Sequence, residues 1–199
     1  IAVMLALTVV EPQSSGIGGG GFMVRGMPDG TVATFDGRET APAGATPEWF
    51  LDDNGEVPPR SESVRSGLSV GVPGNIALAA KAHAAHGKLA WADLFEPAIR
   101  LARSGFEINP RLNGMLESAR DRSAHSAAAR SLYFDDQGDP RPVGTLVVNE
   151  PLAQTLEMIA GGGPEAFYSG ELAERIAETV SADTPRMGAM TYADITGYE

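Results

Sequence analysis

The 199-residue sequence contains no cysteine, which excludes disulfides, thiolate metal sites and cysteine nucleophiles from the chain. It has no cluster of basic residues and a net charge of -11, whereas nucleic-acid phosphates are neutralised by lysine and arginine clusters. No apolar run approaches the roughly 20 residues that span a bilayer. We therefore expect no nucleic-acid partner and no membrane segment in this chain.

The sequence does contain enough hydrophobic residues, 43% against 21% charged, to bury a core. Its first ten residues, IAVMLALTVV, are apolar throughout. Periodicity alone does not tell a buried helix from a strand in such a run. Because the run has no charged leader, we expect the chain to begin inside an element, after residues that are absent here.

The stretch GIGGGGFMV, residues 16–24, contains the G-x-G-x-x-G spacing of a dinucleotide-binding loop. Such a loop must lead into a helix whose N-terminus faces the pyrophosphate. Here two extended runs follow, joined by a Pro-Asp-Gly turn at 28–30, and they predict a β-hairpin over residues 22–36. This context excludes the dinucleotide site. The glycines are interpreted as a sharp connection where backbone passes close to backbone.

The rest of the chain shows mostly helical patterns. The predicted helices begin at Thr46, Asn75, Trp91 and Asn149, with another along Leu172, Ile176 and Val180 and a last one capped by Thr191 and Asp194. A lone hairpin is barely stable by itself. We therefore expect residues 1–199 to form a single partial domain of the α/β (α+β) class, whose sheet is completed by residues outside this chain.

Arg38 is the first candidate for binding chemistry, because it ends a predicted strand shortly before Pro42. Its planar guanidinium suits a two-point grip on a carboxylate. From the residues alone, an ordinary surface ion pair with Asp36 or Glu39 is the favoured interpretation.

Metal ligands are less well indicated. His83 and His86 are three residues apart on a predicted helix, but the sequence places no third ligand, so packed or solvated histidines are favoured. The acid pairs at 52–53 and 135–136 are interpreted as solvated loop residues, with a calcium site as the open alternative. We expect no metal and no cofactor.

Several blocks, in order along the whole chain, resemble the gamma-glutamyltransferase family, also called gamma-glutamyltranspeptidase or glutathione hydrolase. The blocks are PQSSGIGGGGFMV, DGRETAPAGAT, GLSVGVPGNIAL, LFEPAIRLARSGFEIN, EPLAQTLEMIAGGGPEAFYSGELAERI and MTYADITGYE. The resemblance implies an N-terminal-nucleophile hydrolase with an αββα sandwich, of which this chain is an incomplete, mostly helical part with an N-terminal β-hairpin. It also implies a precursor that cleaves itself into a large and a small subunit, in the periplasm or outside the cell.

By this resemblance the chain is the first part of the large subunit, and its partner is the small subunit. The nucleophile is then a threonine that begins the small subunit, so no catalytic residue is expected in this chain. Arg38 matches the family's arginine that binds the α-carboxylate of a γ-glutamyl substrate such as glutathione. Glu39 matches the acid beside it, and its support of Arg38 is a hypothesis.

Two other functions stay open. One is a related acylase that cuts a different side-chain amide, of the glutaryl or cephalosporin type. The other is a non-catalytic homologue that acts as an interaction module.

Overall fold

The computed structural model describes residues 1–124, 126–182 and 186–199. The strands within these ranges are β1 (Gly21–Gly26), β2 (Val32–Gly37), β3 (Phe106–Glu107) and β4 (Leu146–Val147). The helices are α1 (Ala2–Val10), α2 (Arg60–Val64), α3 (Asn75–His86), α4 (Glu96–Ser104), α5 (Pro110–Ser118), α6 (Arg120–Ser123), α7 (Ala127–Tyr133), α8 (Glu150–Gly162), α9 (Glu165–Tyr168), α10 (Gly170–Ala182) and α11 (Tyr192–Thr196). These helices and strands confirm the prediction of a mostly helical chain with a β-hairpin near its start.

The chain divides into two compact units. One consists of residues 1–16 and 89–161, and the other of residues 17–88 and 162–199. The second unit holds β1, β2 and both candidate binding residues. None of the helices in the described ranges is long and apolar enough to cross a membrane.

β1 and β2 form the predicted hairpin in an antiparallel register that runs from Gly21 opposite Gly37 to Gly26 opposite Val32. Its turn is closed by the Met27 N–H, which donates to the Thr31 carbonyl at 2.8 Å. Side chains alternate along both strands, as a pleated sheet requires. One face of the hairpin packs on α3, whereas the apolar residues of the other face are exposed. These exposed residues are Phe22, Val24 and Val32.

α3 supports the hairpin and is itself well buried. It begins at Asn75 and ends before Gly87, as the sequence predicts. Its buried residues are Asn75, Ile76, Leu78, Ala79 and Ala82. Further along this unit, the predicted capping box at the start of α11 is present, since the Thr191 hydroxyl and the Asp194 carboxylate each accept from the other residue's backbone N–H.

The helix predicted after Thr46 is wrong, because residues 46–53 form turns instead. The backbone carbonyls of Phe50 and Leu51 accept hydrogen bonds from the Arg186 guanidinium at 3.2 and 2.6 Å. The Asp52 carboxylate accepts from the N–H groups two and four residues later, which closes a local turn. The residues that follow Thr46 are therefore held by a distant arginine and a local carboxylate rather than by a helix.

In the other unit the apolar first segment forms α1, which packs on α4. Leu5 and Phe95 are fully buried there. The predicted cap of α8 is confirmed, because the Asn149 side chain accepts from the Leu152 N–H at 3.1 Å. The helix predicted from Trp91 begins as a 3-10 turn and continues as α4.

Arg103 on α4 joins two acids of α8. Its guanidinium binds both oxygens of Glu150, at 3.0 and 3.1 Å, and both oxygens of Glu157, at 2.6 and 3.0 Å. These hydrogen bonds lower the pKa of both carboxyl groups. A lowered folded-state pKa stabilises the fold above the unfolded-state pKa and stops doing so as the pH falls.

We therefore expect Arg103→Gln to lower the Tm at pH 7 and to have a smaller effect near pH 4, where glutamates begin to protonate. Differential scanning calorimetry at both pH values measures this difference. Arg100→Gln is the control, because among the described residues the ion-pair partner of Arg100 is the exposed Glu96, one turn earlier in the same helix. An equal loss of Tm at both pH values would contradict the prediction.

Candidate functional site

The end of the hairpin positions Arg38, which directly follows the last residue of β2, Gly37. Gly37 is buried, and a side chain at this position would run into Cβ of Leu78 on α3. The strand end and the helix therefore approach each other more closely than any larger residue allows. Arg38 leaves the hairpin from this fixed point.

The peptide groups of Arg38 are held at both ends. Its N–H donates to Oδ1 of Asp36 at 2.9 Å, and its carbonyl accepts from the Tyr198 hydroxyl at 2.7 Å. Both distances are those of good hydrogen bonds. The backbone that carries the arginine is therefore anchored by residues from β2 and from the segment after α11.

The Arg38 side chain is 62% exposed and contacts Glu39, with 2.6 Å between Nη1 and Oε2. Within the described part of the chain, no residue accepts a hydrogen bond from its Nε or Nη2. One edge of the guanidinium therefore faces Glu39, and N–H groups remain for a carboxylate.

The glycine run lies against this segment. A Cβ on Gly20 would come within 2.6 Å of the Glu39 nitrogen and 2.7 Å of Glu39 Oε2. The carbonyl of Gly19 accepts from the N–H groups of Gly74 and Asn75, each at 3.0 Å, and so occupies donors at the start of α3. The run leads into β1, and its glycines permit a close approach to the arginine segment.

Two open cavities meet at Arg38 and Glu39. The first, of about 710 Å³, is lined by polar and apolar surface in similar amounts, and the second, of about 460 Å³, is more apolar than polar. The charged residues of the first are Asp36, Arg38, Glu39, Lys81 and Glu199. Large apolar residues of the second include Trp49, Phe50 and Leu68. The guanidinium thus stands where a ligand with one carboxylate and an apolar portion can approach.

The structure brings the two predicted residues, Arg38 and Glu39, into contact. His86 packs its ring edge-on against Phe35 at 5.8 Å between ring centres. Among the described residues no group of three His, Cys, Asp or Glu is arranged to hold a metal ion. Sequence reasoning missed Tyr198, and the only signal for it was its place in the block MTYADITGYE.

Known proteins resemble this chain along its whole length. The family model described as gamma-glutamyltranspeptidase matches residues 1–199. The glutathione hydrolase proenzyme of Bacillus subtilis (strain 168) is 38% identical over 202 residues, which cover 100% of this chain and 33% of that protein. The chain therefore spans about a third of the length of this relative.

Two solved structures also match the whole chain. Helicobacter pylori gamma-glutamyltranspeptidase is 34% identical with a TM-score of 0.91, over 100% of this chain and 56% of that chain. A cephalosporin acylase from Bacillus halodurans is 28% identical with a TM-score of 0.78, over 100% of this chain and 37% of that chain. The likeness confirms the predicted fold class, a mostly helical α+β part of an N-terminal-nucleophile hydrolase.

Proposed function

The chain belongs to the gamma-glutamyltranspeptidase family, and on that premise we propose that it forms the first part of the large subunit of an enzyme that cleaves γ-glutamyl amides. Both compact units are proposed to belong to one partial domain. The observation that carries the proposal is Arg38, anchored at the end of β2 with N–H groups available beside Glu39. The name of the Bacillus subtilis relative, glutathione hydrolase proenzyme, supports glutathione as the substrate and a precursor that is processed.

Arg38 binds the α-carboxylate of the γ-glutamyl group in this proposal. A planar guanidinium matches the two oxygens of a carboxylate, which fixes the orientation as well as the position of the substrate. Glu39 holds the Nη1 edge through its 2.6 Å contact and so directs the remaining N–H groups toward the ligand. Correct placement of the γ-glutamyl substrate lowers the entropic part of the activation free energy of the reaction.

The reaction follows the resemblance to the family. The hydroxyl oxygen of the first threonine of the small subunit attacks the γ-carbonyl carbon, and its proton passes to that threonine's own α-amine. An oxyanion hole stabilises the tetrahedral intermediate. The C–N bond then breaks, the departing amine takes the proton, and a γ-glutamyl ester remains. Water or an acceptor amine attacks this ester and releases the threonine.

The test is an assay of the full-length gene product on γ-glutamyl-p-nitroanilide, together with mass spectrometry of the purified protein. We expect release of p-nitroaniline and two fragments whose masses sum to that of the precursor plus one water molecule, which hydrolysis of the single cleaved peptide bond adds. Added glycylglycine separates transfer from hydrolysis, because it captures the γ-glutamyl group. An uncleaved, inactive product would overturn the proposal and favour the non-catalytic interaction module.

A second candidate is an acylase of the glutaryl or cephalosporin type, which the 28% identity to the cephalosporin acylase supports. A glutaryl group keeps the carboxylate but lacks the α-amine, so Arg38 suits both substrates. Relative kcat/KM values for γ-glutamyl- and glutaryl-p-nitroanilide decide between them. A preference for the glutaryl compound would replace the first proposal with the second.

A further inference from the structure

Tyr198 contacts the candidate arginine through its backbone. The Tyr198 hydroxyl donates to the Arg38 carbonyl at 2.7 Å, although the two residues are 160 positions apart. The Tyr198 ring stacks on that of Tyr168, with 5.8 Å between ring centres and 13° between planes. The hydroxyl is thus carried by an oriented ring, which limits where it can point.

Tyr168 ties this stack to the start of α3. Its hydroxyl donates to the Pro73 carbonyl at 2.8 Å and accepts from the Ala77 N–H at 3.1 Å. Tyr168 is only 8% exposed, and its own position is therefore well defined. Gly74 lies beside the Tyr198 hydroxyl and the Gly37 carbonyl, where a larger residue would collide with both. The two rings connect the helix that supports the hairpin to the peptide that carries Arg38.

We propose that Tyr198 is a positioning residue for binding of the γ-glutamyl substrate, here called the donor substrate. By holding the Arg38 carbonyl, it sets the direction in which the guanidinium leaves the end of β2. The inference rests on the proposed function, in which Arg38 binds the donor carboxylate. Asp36 already holds the Arg38 N–H, so the hydroxyl supplies the second of two anchors on this residue. Without it the peptide after Arg38 can rotate, and the guanidinium loses its fixed approach.

The surroundings of Tyr198 keep its hydroxyl protonated. Burial and then the negative charges of Asp36 and Glu39 raise its pKa above the ordinary tyrosine value. The group therefore remains a hydrogen-bond donor across the neutral and mildly alkaline range. The carbonyl it holds needs a donor, which a phenolate is not.

The test is Tyr198→Phe in the full-length protein, which removes the hydroxyl and keeps the ring. We expect the KM for γ-glutamyl-p-nitroanilide to rise roughly fivefold, the effect of one lost hydrogen bond, with kcat changed less than twofold. With 4-aminobutanoyl-p-nitroanilide, which lacks the α-carboxylate, kcat/KM is expected to stay unchanged. If Tyr198 had a merely structural role, its loss would lower kcat/KM equally for both p-nitroanilide substrates, and that result would overturn the inference.

Tyr192→Phe is the matched control. The Tyr192 hydroxyl also binds a backbone group, accepting from the Gly170 N–H at 3.2 Å, but it does not contact Arg38. This variant is expected to leave the KM for both donors unchanged. A fivefold rise of the KM in Tyr192→Phe would show a general effect of the tyrosine hydroxyls on this unit and would overturn the inference.

The double variant Arg38→Ala/Tyr198→Phe separates positioning from a general loss of stability. If Tyr198 acts through Arg38, the double variant has the KM of Arg38→Ala alone, whereas independent effects multiply and would refute the inference. A higher KM in Arg38→Ala together with an unchanged KM in Tyr198→Phe would overturn the role of Tyr198 and keep the proposed function. An unchanged KM in Arg38→Ala would overturn the proposed role of the arginine itself.

Discussion

Arg38→Ala in the full-length protein is expected to lower kcat/KM for γ-glutamyl-p-nitroanilide by roughly 100-fold, mainly through KM. Loss of a charged two-point contact with a carboxylate costs about 3 kcal/mol, and every 1.4 kcal/mol is about tenfold. Arg38→Lys is expected to lose roughly tenfold, since an ammonium keeps the attraction but not the planar fork. Steady-state kinetics over a range of donor concentrations separates KM from kcat.

Arg100→Ala is the control for this experiment. Arg100 is an exposed arginine of α4 whose ion pair is with Glu96, so its loss removes a positive charge without touching the site. Its kinetic constants are expected to match those of the parent protein. Equal constants for Arg38→Ala and Arg100→Ala would refute carboxylate binding by Arg38.

Gly20→Ala is expected to destabilise the protein by about 2 kcal/mol and to raise the donor KM. An added Cβ would lie 2.6 Å from the Glu39 nitrogen and from the Gly37 carbonyl, and both are backbone atoms that move only with the strand end. It would also lie 2.7 Å from Glu39 Oε2, the atom that contacts the arginine. Urea unfolding gives the stability, and the p-nitroanilide assay gives KM.

Gly18→Ala provides a matched control within the same run of glycines. Among the residues that the structure describes, none comes within 4 Å of a Cβ at residue 18 apart from its chain neighbours. The free energy of unfolding and the KM are therefore expected to stay close to the parent values. The same destabilisation in both variants would mean that the run acts through its flexibility rather than through close contact at Gly20.

The features that the sequence predicted correctly are those that short stretches of chain encode. The hairpin follows from two alternating strands and a Pro-Asp-Gly turn, and the cap of α8 follows from Asn149 placed before a helical pattern. Arg38 could be identified as a candidate because a strand end and a resemblance to a family coincide there. Its role as a substrate ligand stays a prediction.

The features that the sequence did not predict depend on contacts between distant residues. Arg186 binds the carbonyls of residues 50 and 51 across more than 130 positions, in a segment where the local pattern favours a helix. Tyr198 reaches Arg38 across 160 positions, and no periodicity encodes such a meeting. The task of Gly20 likewise appears only once Glu39 lies beside it.

The hydrogen bond between Tyr198 and Arg38 also has a consequence for the order in which the chain folds. β1 and β2 are joined by a short turn, and hairpins of this kind form within microseconds. The hydrogen bond from Tyr198 to the Arg38 carbonyl must instead close a loop of 160 residues, at an entropic cost of roughly 4–5 kcal/mol plus a constant. The strand that carries the arginine can therefore form early, whereas the arginine acquires its final direction late in folding. A nascent chain released before residue 198 would have the hairpin but not an oriented Arg38.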